Sequence, residues 1–296
     1  MRTKPIGVVG LGIMGSAMSA SLMASGRDVV GFDIDAARLG EHAGRGGLTA
    51  ASATELAARC DVVVTSLTSS RALEAVLTGP DGLCVGDAPG LIIIETSTLS
   101  PDEKSQARHR ADERGAVLLD CPMSGTGQQA RSGDIVAYLS GDSSAAKAAA
   151  TEILLMMCRA VYDVGTFGNG TRMKLIANLL VAVHNAAAAE ALVLAKRSGM
   201  DLDGVLAAVG DGAGASRMLA VRGPLMISED FSTATMRVST FQKDIDLIAA
   251  FASDVGSPTP LFSATADLYR MAVEQGRDDE DTACVFGVLE SLNPRP

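Results

Sequence analysis

The sequence has no tryptophan, few other aromatic residues and few histidines. Its 296 residues include only 3 tyrosines, 7 phenylalanines and 3 histidines, so the predicted core is built from aliphatic side chains and methionine. The 5 cysteines are an odd number and show no CxxC or metal-type spacing. This argues against a disulfide framework or a structural metal, and we expect reduced thiols in a cytoplasmic protein.

The chain also lacks a basic patch and a convincing membrane-spanning run. A formal net charge of −10 would repel polyanions, so neither nucleic acid nor a membrane is an expected partner. The beginning, MRTKPIGVVGLGIMG, superficially resembles a signal peptide. Its glycines and the missing cleavage site favour a buried strand and turn instead. The length predicts two domains.

A glycine-rich turn follows the first apolar run. The pattern is a strand ending at Gly10, a turn, a helical stretch ending at Gly26, and a second strand closing on Asp33. This complete unit is typical of dinucleotide binding, whereas an isolated GxGxxG is weak evidence. The turn GLGIMG consists of Gly10, Leu11, Gly12, Ile13, Met14 and Gly15.

Each element of this unit has a predicted physical role. Gly10 makes the tight turn, Gly12 admits the pyrophosphate to the backbone, and Gly15 lets helix and strand pack closely. The unpaired N–H groups at the helix start bind the anion. Asp33 accepts hydrogen bonds from the adenosine ribose hydroxyls.

The residues around Asp33 predict the choice of cofactor. A carboxylate repels a 2′-phosphate, and Ile34 stands where a phosphate-binding site would place arginine, so NAD is favoured. Arg38 follows one helical turn later and could reach a phosphate, which leaves NADP possible.

Strand and helix patterns then alternate as far as Val164. Such alternation predicts a doubly wound, Rossmann-type α/β domain over residues 1–164, with ligands at the carboxyl ends of parallel strands. Ser100 before Pro101 predicts a helix cap. Three strand ends accordingly draw attention: Leu67 and Thr68, residues 95–98 including Thr98, and residues 120–125. In the last of them, the loop DCPMSGTG, the Ser124 hydroxyl and the backbone around Gly125 suit a small carboxylate.

Residues 165–296 predict an all-helical second domain. The stretch from Gly165 to Asn178 opens a long interdomain helix that runs to Gly199, with Thr171 as the predicted N-cap. Lys174 and Asn178 lie four residues apart on one face. Taken alone, Lys174 is more simply read as a surface lysine.

The long helix is apolar around its whole circumference, so we expect it to be the hub of this domain and partly covered by a second subunit. His184 and Asn185 are interpreted as satisfied core polar groups. Lys243 and Asp244 alone would be a surface ion pair. Further helices are predicted over residues 201–209, 216–222, 238–253, 263–275 and 283–292.

These motifs together resemble the β-hydroxyacid dehydrogenase family over nearly the whole chain. The cofactor turn, a D-x-P-x-S-G loop at 120–125, the pattern G-x-G-x-x-x-K-x-x-x-N ending at Asn178, and the downstream Lys243-Asp244-Ile245 occur in the family's order. The resemblance implies that Lys174 is catalytic and that Ser124, Gly125, Thr126 and Asn178 hold the substrate. It also implies that Thr98 and Lys243 lie against the cofactor, and that the protein is a homodimer or homotetramer.

The sequence departs from the family pattern in the substrate loop. Thr126 and Gln129 stand where glycines are usual, which puts the identity of the acid in doubt. Candidates are 3-hydroxyisobutyrate, glycerate or tartronate semialdehyde, and threonate.

The resulting hypothesis is hydride transfer between NAD(P) and a small 3-hydroxy acid, with Lys174 as general acid and base. A lysine has a pKa of about 10.4 when unperturbed, so a base near neutrality requires desolvation or a neighbouring positive charge. Two alternatives remain: an imine reductase-like enzyme, and a non-catalytic dinucleotide-binding relative. The presence of Lys174 argues against both.

Overall fold

The structure is a computed structural model that describes residues 4–292. Two compact units divide between Lys174 and Leu175. The predicted class is confirmed, because a parallel sheet with flanking helices forms the first unit and helices form the second. The outermost parts of the predicted domains, residues 1–3 and 293–296, lie outside the described residues.

The first unit is built on a six-stranded sheet in the order β3-β2-β1-β4-β5-β6, with every pair parallel. Runs such as VVVT and IIIE suit strands that are covered on both faces. The order reverses between β1 and β4, and this switch point is where such sheets bind ligands. The strands are β1 (Ile6–Val9), β2 (Val29–Phe32), β3 (Leu48–Thr49), β4 (Val62–Thr65), β5 (Ile92–Glu95) and β6 (Val117–Asp120).

Helices cover both faces of this sheet and bury two aliphatic clusters against it. Met18 and Leu22 contribute to one cluster, and Leu56 and Leu73 to the other. Each buried leucine contributes roughly 2 kcal/mol of transfer free energy. The helices are α1 (Ile13–Ala24), α2 (Ala36–Gly44), α3 (Ala53–Arg59), α4 (Ser70–Thr78) and α5 (Pro101–Asp112).

A second, three-stranded sheet completes the first unit. The sequence predicted its last two strands but not the separate sheet, nor the short β7 and α6. Consequently Ser124 ends a strand that pairs with Val136 instead of lying in the predicted loop. An antiparallel bridge between Asp120 and Ser140 joins the two sheets. The elements are β7 (Met123–Ser124), α6 (Gly127–Arg131), β8 (Val136–Leu139), α7 (Ser144–Leu154) and β9 (Ala160–Asp163).

The long helix α8 (Asn169–Arg197) begins in the first unit and forms the centre of the second. Its buried side chains, among them Ala182, Ala189 and Leu192, enter the core cluster of the second unit, which confirms the predicted hub. The remaining elements are α9 (Leu202–Asp211), α10 (Arg217–Ser228), α11 (Val238–Asp254), α12 (Pro260–Glu274), a 3-10 turn (Thr282–Cys284) and α13 (Val285–Ser291).

Three details of α8 test the sequence interpretation. The prediction of Thr171 as N-cap is wrong, because the helix begins at Asn169. His184 is exposed, so its assignment to the core is also wrong. Asn185 is a satisfied core group, since its amide donates to the Tyr269 hydroxyl at 2.8 Å and to the Thr282 carbonyl at 2.9 Å.

All five cysteines lie within the described residues, and they are free and buried. Burial raises the pKa of the Cys158 thiol to about 12, and such thiols are inert at neutral pH. By length and composition, α8 could cross a membrane. Core helices meet the same criteria, and the apolar side chains on one side of α8, among them Leu175 and Leu192, pack into the second unit.

The predicted cap of α5 is present as a full capping box. The Ser100 hydroxyl accepts from the Glu103 N–H at 3.2 Å, and the Glu103 carboxylate accepts from the Ser100 N–H at 3.0 Å. Both bonds satisfy N–H groups that the helix itself leaves unpaired.

Replacing Ser100 by alanine should therefore lower the free energy of unfolding by about 1 kcal/mol. Urea denaturation of the purified protein measures the change. Ser105→Ala is the matched control, because Ser105 is an exposed residue within the same helix, and its effect should stay under about 0.5 kcal/mol. Equal losses in both variants would contradict the capping assignment.

Candidate functional site

The glycine-rich turn lies at the switch point. Backbone carbonyl groups pack closely against two of its glycines. A Cβ on Gly10 would lie 2.2 Å from the Ser66 carbonyl oxygen, and a Cβ on Gly15 would lie 1.8 Å from the Gly10 carbonyl oxygen. Gly10 also has φ of +86°, a conformation that side chains disfavour. Both positions therefore require glycine, as the motif predicted.

The start of α1 is open to an anion. Gly12 precedes the helix and no side chain caps its first N–H groups. A Cβ on Gly12 would meet only the Arg38 guanidinium, at 3.8 Å, so a ligand can approach the backbone there. These residues fit the pyrophosphate of a dinucleotide.

The Asp33 carboxylate is fixed beside this turn. It is buried, and it accepts hydrogen bonds from the Leu11 N–H at 2.7 Å and the Asp35 N–H at 2.9 Å. Arg38 approaches it to 3.5 Å while half of the arginine side chain remains exposed. Ile34 is almost fully exposed. The carboxylate and the guanidinium thus both lie beside the turn.

Two other strand ends are joined next to the turn. The Leu67 N–H donates to the Ser97 hydroxyl at 2.9 Å, so the segments after β4 and β5 are held together. Thr68 is exposed and Thr98 is half-buried. The residues predicted to line the cofactor therefore meet at one edge of the sheet, except for Lys243 in the second unit.

The predicted substrate loop is tightly shaped around Gly125. Its φ is +142°, and a Cβ there would lie 2.6 Å from the Ile135 side chain. The next residue, Thr126, caps α6: its hydroxyl accepts from the Gln129 N–H, and the Gln129 side chain accepts from the Thr126 N–H. The two residues that depart from the family's glycines therefore form one capping box.

This loop packs directly on the cofactor turn. A Cβ on Gly127 would lie 2.2 Å from the Ile13 side chain, which places the first turn of α6 against the first turn of α1. The substrate loop and the dinucleotide turn are therefore neighbours within the first unit.

A buried ion cluster lies behind the strand ends. The Lys104 ammonium is 2.6 Å from a Glu95 carboxylate oxygen and 2.7 Å from an Asp120 carboxylate oxygen, and all three side chains are completely buried. Burial alone would lower the pKa of Lys104, but the two carboxylates outweigh it and raise that pKa above its ordinary value. Lys104 is therefore a permanent cation.

Asp120 also holds the start of α8. Its carboxylate accepts from the Thr171 N–H at 2.7 Å and from the Thr171 hydroxyl at 2.8 Å. The Gly170 N–H donates to the Ser140 hydroxyl at 2.9 Å. The carboxylate thus satisfies groups at a helix N-terminus, where negative charge is favoured. Lys174 follows three residues later and is buried.

In the second unit, Asn178 is held by α11. Its amide donates to the Asp244 carboxylate at 2.8 Å, and both side chains are buried. Lys243 precedes Asp244 and is exposed. Asp244 is therefore buried, and the surface position that the sequence suggested for it is wrong. Asp244 orients the amide that the sequence assigned to substrate binding.

Sequence reasoning missed three residues that hold the site. Lys104 is one cation in a strongly charged helix, so no local signal distinguished it. Asp244 and Asp120 lay within recognised motifs, but their partners are distant in sequence. Among residues 4–292, no cluster of three or more histidine, cysteine or carboxylate side chains is arranged to hold a metal ion.

Comparison with known proteins agrees with this geometry. Residues 5–165 match the family model of the NAD binding domain of 6-phosphogluconate dehydrogenase, and residues 168–289 match that of the NAD-binding domain of NADP-dependent 3-hydroxyisobutyrate dehydrogenase. An L-threonate dehydrogenase from Cupriavidus necator is 34% identical over 98% of this chain and 97% of its own length.

Two solved structures extend the comparison to the fold. A 3-hydroxyisobutyrate dehydrogenase from Salmonella typhimurium is 31% identical with a TM-score of 0.85, covering 96% of this chain and 99% of that one. A 3-hydroxyisobutyrate dehydrogenase from Mycobacterium tuberculosis, solved with L-serine, is 26% identical with a TM-score of 0.86. The match covers 97% of this chain and 99% of that one. The chain therefore belongs to the β-hydroxyacid dehydrogenase family and is an NAD(P)-dependent oxidoreductase of hydroxy acids.

Proposed function

We propose that this enzyme oxidises or reduces a small 3-hydroxy acid with NAD as the preferred cofactor and Lys174 as general acid and base. The observation that carries the proposal is Lys174 itself. It is a buried lysine near the start of a helix whose first turn is fixed to the strand end that leads into the substrate loop.

The proposed chemistry divides between the cofactor and the chain. When bound, the nicotinamide accepts or supplies the hydride. Lys174 accepts the substrate's hydroxyl proton during oxidation and returns a proton to that oxygen during reduction. Ser124, Gly125 and Thr126 would hold the carboxylate. Asn178, one turn after Lys174 on the same continuous helix, would orient the substrate through the amide that Asp244 fixes.

The substrate is proposed to be 3-hydroxyisobutyrate, glycerate or tartronate semialdehyde, or threonate. Relatives named for threonate and 3-hydroxyisobutyrate support this set. The Thr126 and Gln129 capping box makes the loop more polar and less flexible than two glycines would. A polyhydroxylated acid of the threonate type is therefore the first to test.

Removal of Lys174 tests the proposed reaction. Lys174→Ala should lower kcat at least about a hundredfold, in the range expected for loss of a general acid and base, while the dissociation constant of NAD stays nearly unchanged. The change in nicotinamide absorbance with each of the candidate acids gives the rate. Titration of the protein with NAD gives the dissociation constant. Lys147→Ala is the control, because Lys147 lies on α7 with an exposed carboxylate partner, Asp163.

The pH dependence of the oxidation rate is a second test of the role of Lys174. Oxidation by the wild-type enzyme should accelerate as pH rises, because only neutral Lys174 can accept a proton. A chemically limited rate that is independent of pH, or full activity in Lys174→Ala, would contradict the role. Turnover of imines in place of hydroxy acids would favour the imine reductase alternative, and binding of NAD without any turnover would favour the non-catalytic one.

The preference for NAD rests on Asp33. We expect Asp33→Asn combined with Ile34→Arg to shift the ratio of kcat/KM for NADP over NAD upward by about tenfold or more, because it removes a repelling carboxylate and adds a guanidinium. The asparagine oxygen retains the bond from the Leu11 N–H, whereas the bond from the Asp35 N–H is lost. Arg38→Ala is the control: NAD turnover should barely change. A wild-type preference for NADP that disappears in Arg38→Ala would overturn the assignment.

A homo-oligomer is also proposed, with α8 at its interface. Ile176, Leu180 and Leu194 are about half exposed or more, and with the exposed Ala187 and Ala191 they form one stripe at helical spacing. The exposed His184 lies at the border of this stripe. An exposed apolar stripe is typical of a subunit contact, and the closed symmetry of most homo-oligomers would bring two copies of it together.

Leu180→Lys should convert the oligomer to a smaller species in sedimentation velocity, because it places a charge in an apolar contact. Leu261→Lys is the matched control, since Leu261 is 73% exposed on α12 and lies outside the stripe. A wild-type monomer, or equal dissociation in both variants, would count against this interface.

A further inference from the structure

A continuous buried network connects the cofactor edge of the first unit to α8. It starts at the Leu67 N–H, which donates to the Ser97 hydroxyl at 2.9 Å, and the Ser97 N–H donates to the Glu95 carboxylate at 2.9 Å. Glu95 then pairs with Lys104, and Lys104 with Asp120. The ammonium thus joins the ends of β5 and β6, and Ser97 links the segment after β4 to the end of β5.

The network ends at the first turn of α8. Both Asp120 carboxylate oxygens are used: one accepts from Lys104 and from the Thr171 hydroxyl, and the other accepts from the Thr171 N–H. Thr171 and Lys174 are three residues apart, so their side chains are neighbours on one helix face. Both are buried.

The choice of charged groups here needs an explanation beyond stability. A buried ion pair is often no more stabilising than apolar side chains of the same volume, because desolvation opposes the attraction between the charges. What charge and hydrogen bonds add is a defined geometry, since each oxygen accepts only along certain directions. The amine of Lys174, three residues after Thr171, needs such a defined position if it is to exchange a proton with the substrate.

We propose that Asp120, held by Lys104, is a positioning residue for Lys174. By accepting from the Thr171 hydroxyl, it fixes the rotation of the first turn of α8 about the helix axis and its distance from the end of β6. The position of the Lys174 amine follows from both. The same carboxylate belongs to the strand end that leads into the substrate loop, so amine and loop are positioned from one point. This inference rests on the proposed catalytic role of Lys174.

Thr171 allows the link to be cut without leaving a buried charge alone. Thr171→Val keeps the side-chain volume and the backbone bond to Asp120 but removes the hydroxyl bond. Its kcat should fall about tenfold while KM for the hydroxy acid changes less than about twofold, as expected for a misplaced catalytic group. Thr171→Ser restores the hydroxyl and should restore kcat.

Ser19→Ala is the matched control. It removes another buried hydroxyl of the first unit, whose hydrogen bond to His42 at 3.1 Å lies outside the network. Rates are compared at equal folded fraction, with melting temperatures recorded for each variant. A kcat of the wild-type value in Thr171→Val, or failure of Thr171→Ser to restore it, would overturn the proposal and leave Asp120 with a structural role only.

A second measurement requires no turnover. The rate at which a small amine-reactive reagent labels Lys174, read by peptide mass spectrometry against exposed Lys4, should rise roughly threefold or more in Thr171→Val, because a loosened helix start opens more often. It should be unchanged in Ser19→Ala. Unchanged Lys174 labelling in Thr171→Val overturns the positioning role. Inactivity of the wild type on every acid instead overturns the proposed function, with labelling still deciding the positioning.

Discussion

The Asp120 carboxylate is the interaction on which the first unit depends. The backbone of Asp120 ends β6 and forms a bridge with Ser140, which directly follows β8 of the second sheet. The side chain of Asp120 binds both Lys104 and Thr171. Main sheet, second sheet, α5 and α8 therefore share one buried group. Removing such a partner typically costs about 3–5 kcal/mol, because the remaining charge is left uncompensated. The N–H groups at the N-terminus of α8 also stabilise the buried carboxylate.

The parts of this fold that could be read from the sequence are those determined by local chemistry. The close contacts at Gly10 and Gly15 leave room only for glycine, and apolar runs such as IIIE can be buried only between helices. The second sheet escaped prediction because β7 has two residues and pairs with a strand beyond α6. The helix α6 escaped because its capping box involves a threonine and a glutamine in a segment that otherwise reads as loop.

The residue types of the candidate site were predictable, but their partners were not. The start of α8 was placed three residues late because Thr171 looks like a cap, whereas its hydroxyl donates to a carboxylate 51 residues earlier. Asn178 similarly depends on Asp244, 66 residues away. His184 was misplaced because α8 is apolar on all sides, so the sequence could not indicate which face is exposed. Pairings of this length depend on tertiary structure and leave no local signal.

The contact between Gly127 and Ile13 separates two functions that the sequence places in one loop. A side chain at position 127 would collide with the Ile13 side chain at the start of α1, so the glycine-rich turn constrains this position. Thr126 and Gln129 face no such restriction and are bound mainly to each other. Exchanging them as a pair would alter the surface of this loop while leaving the contact between Gly127 and Ile13 in place. The architecture therefore allows the polar part of this loop to vary independently of the glycine-rich turn.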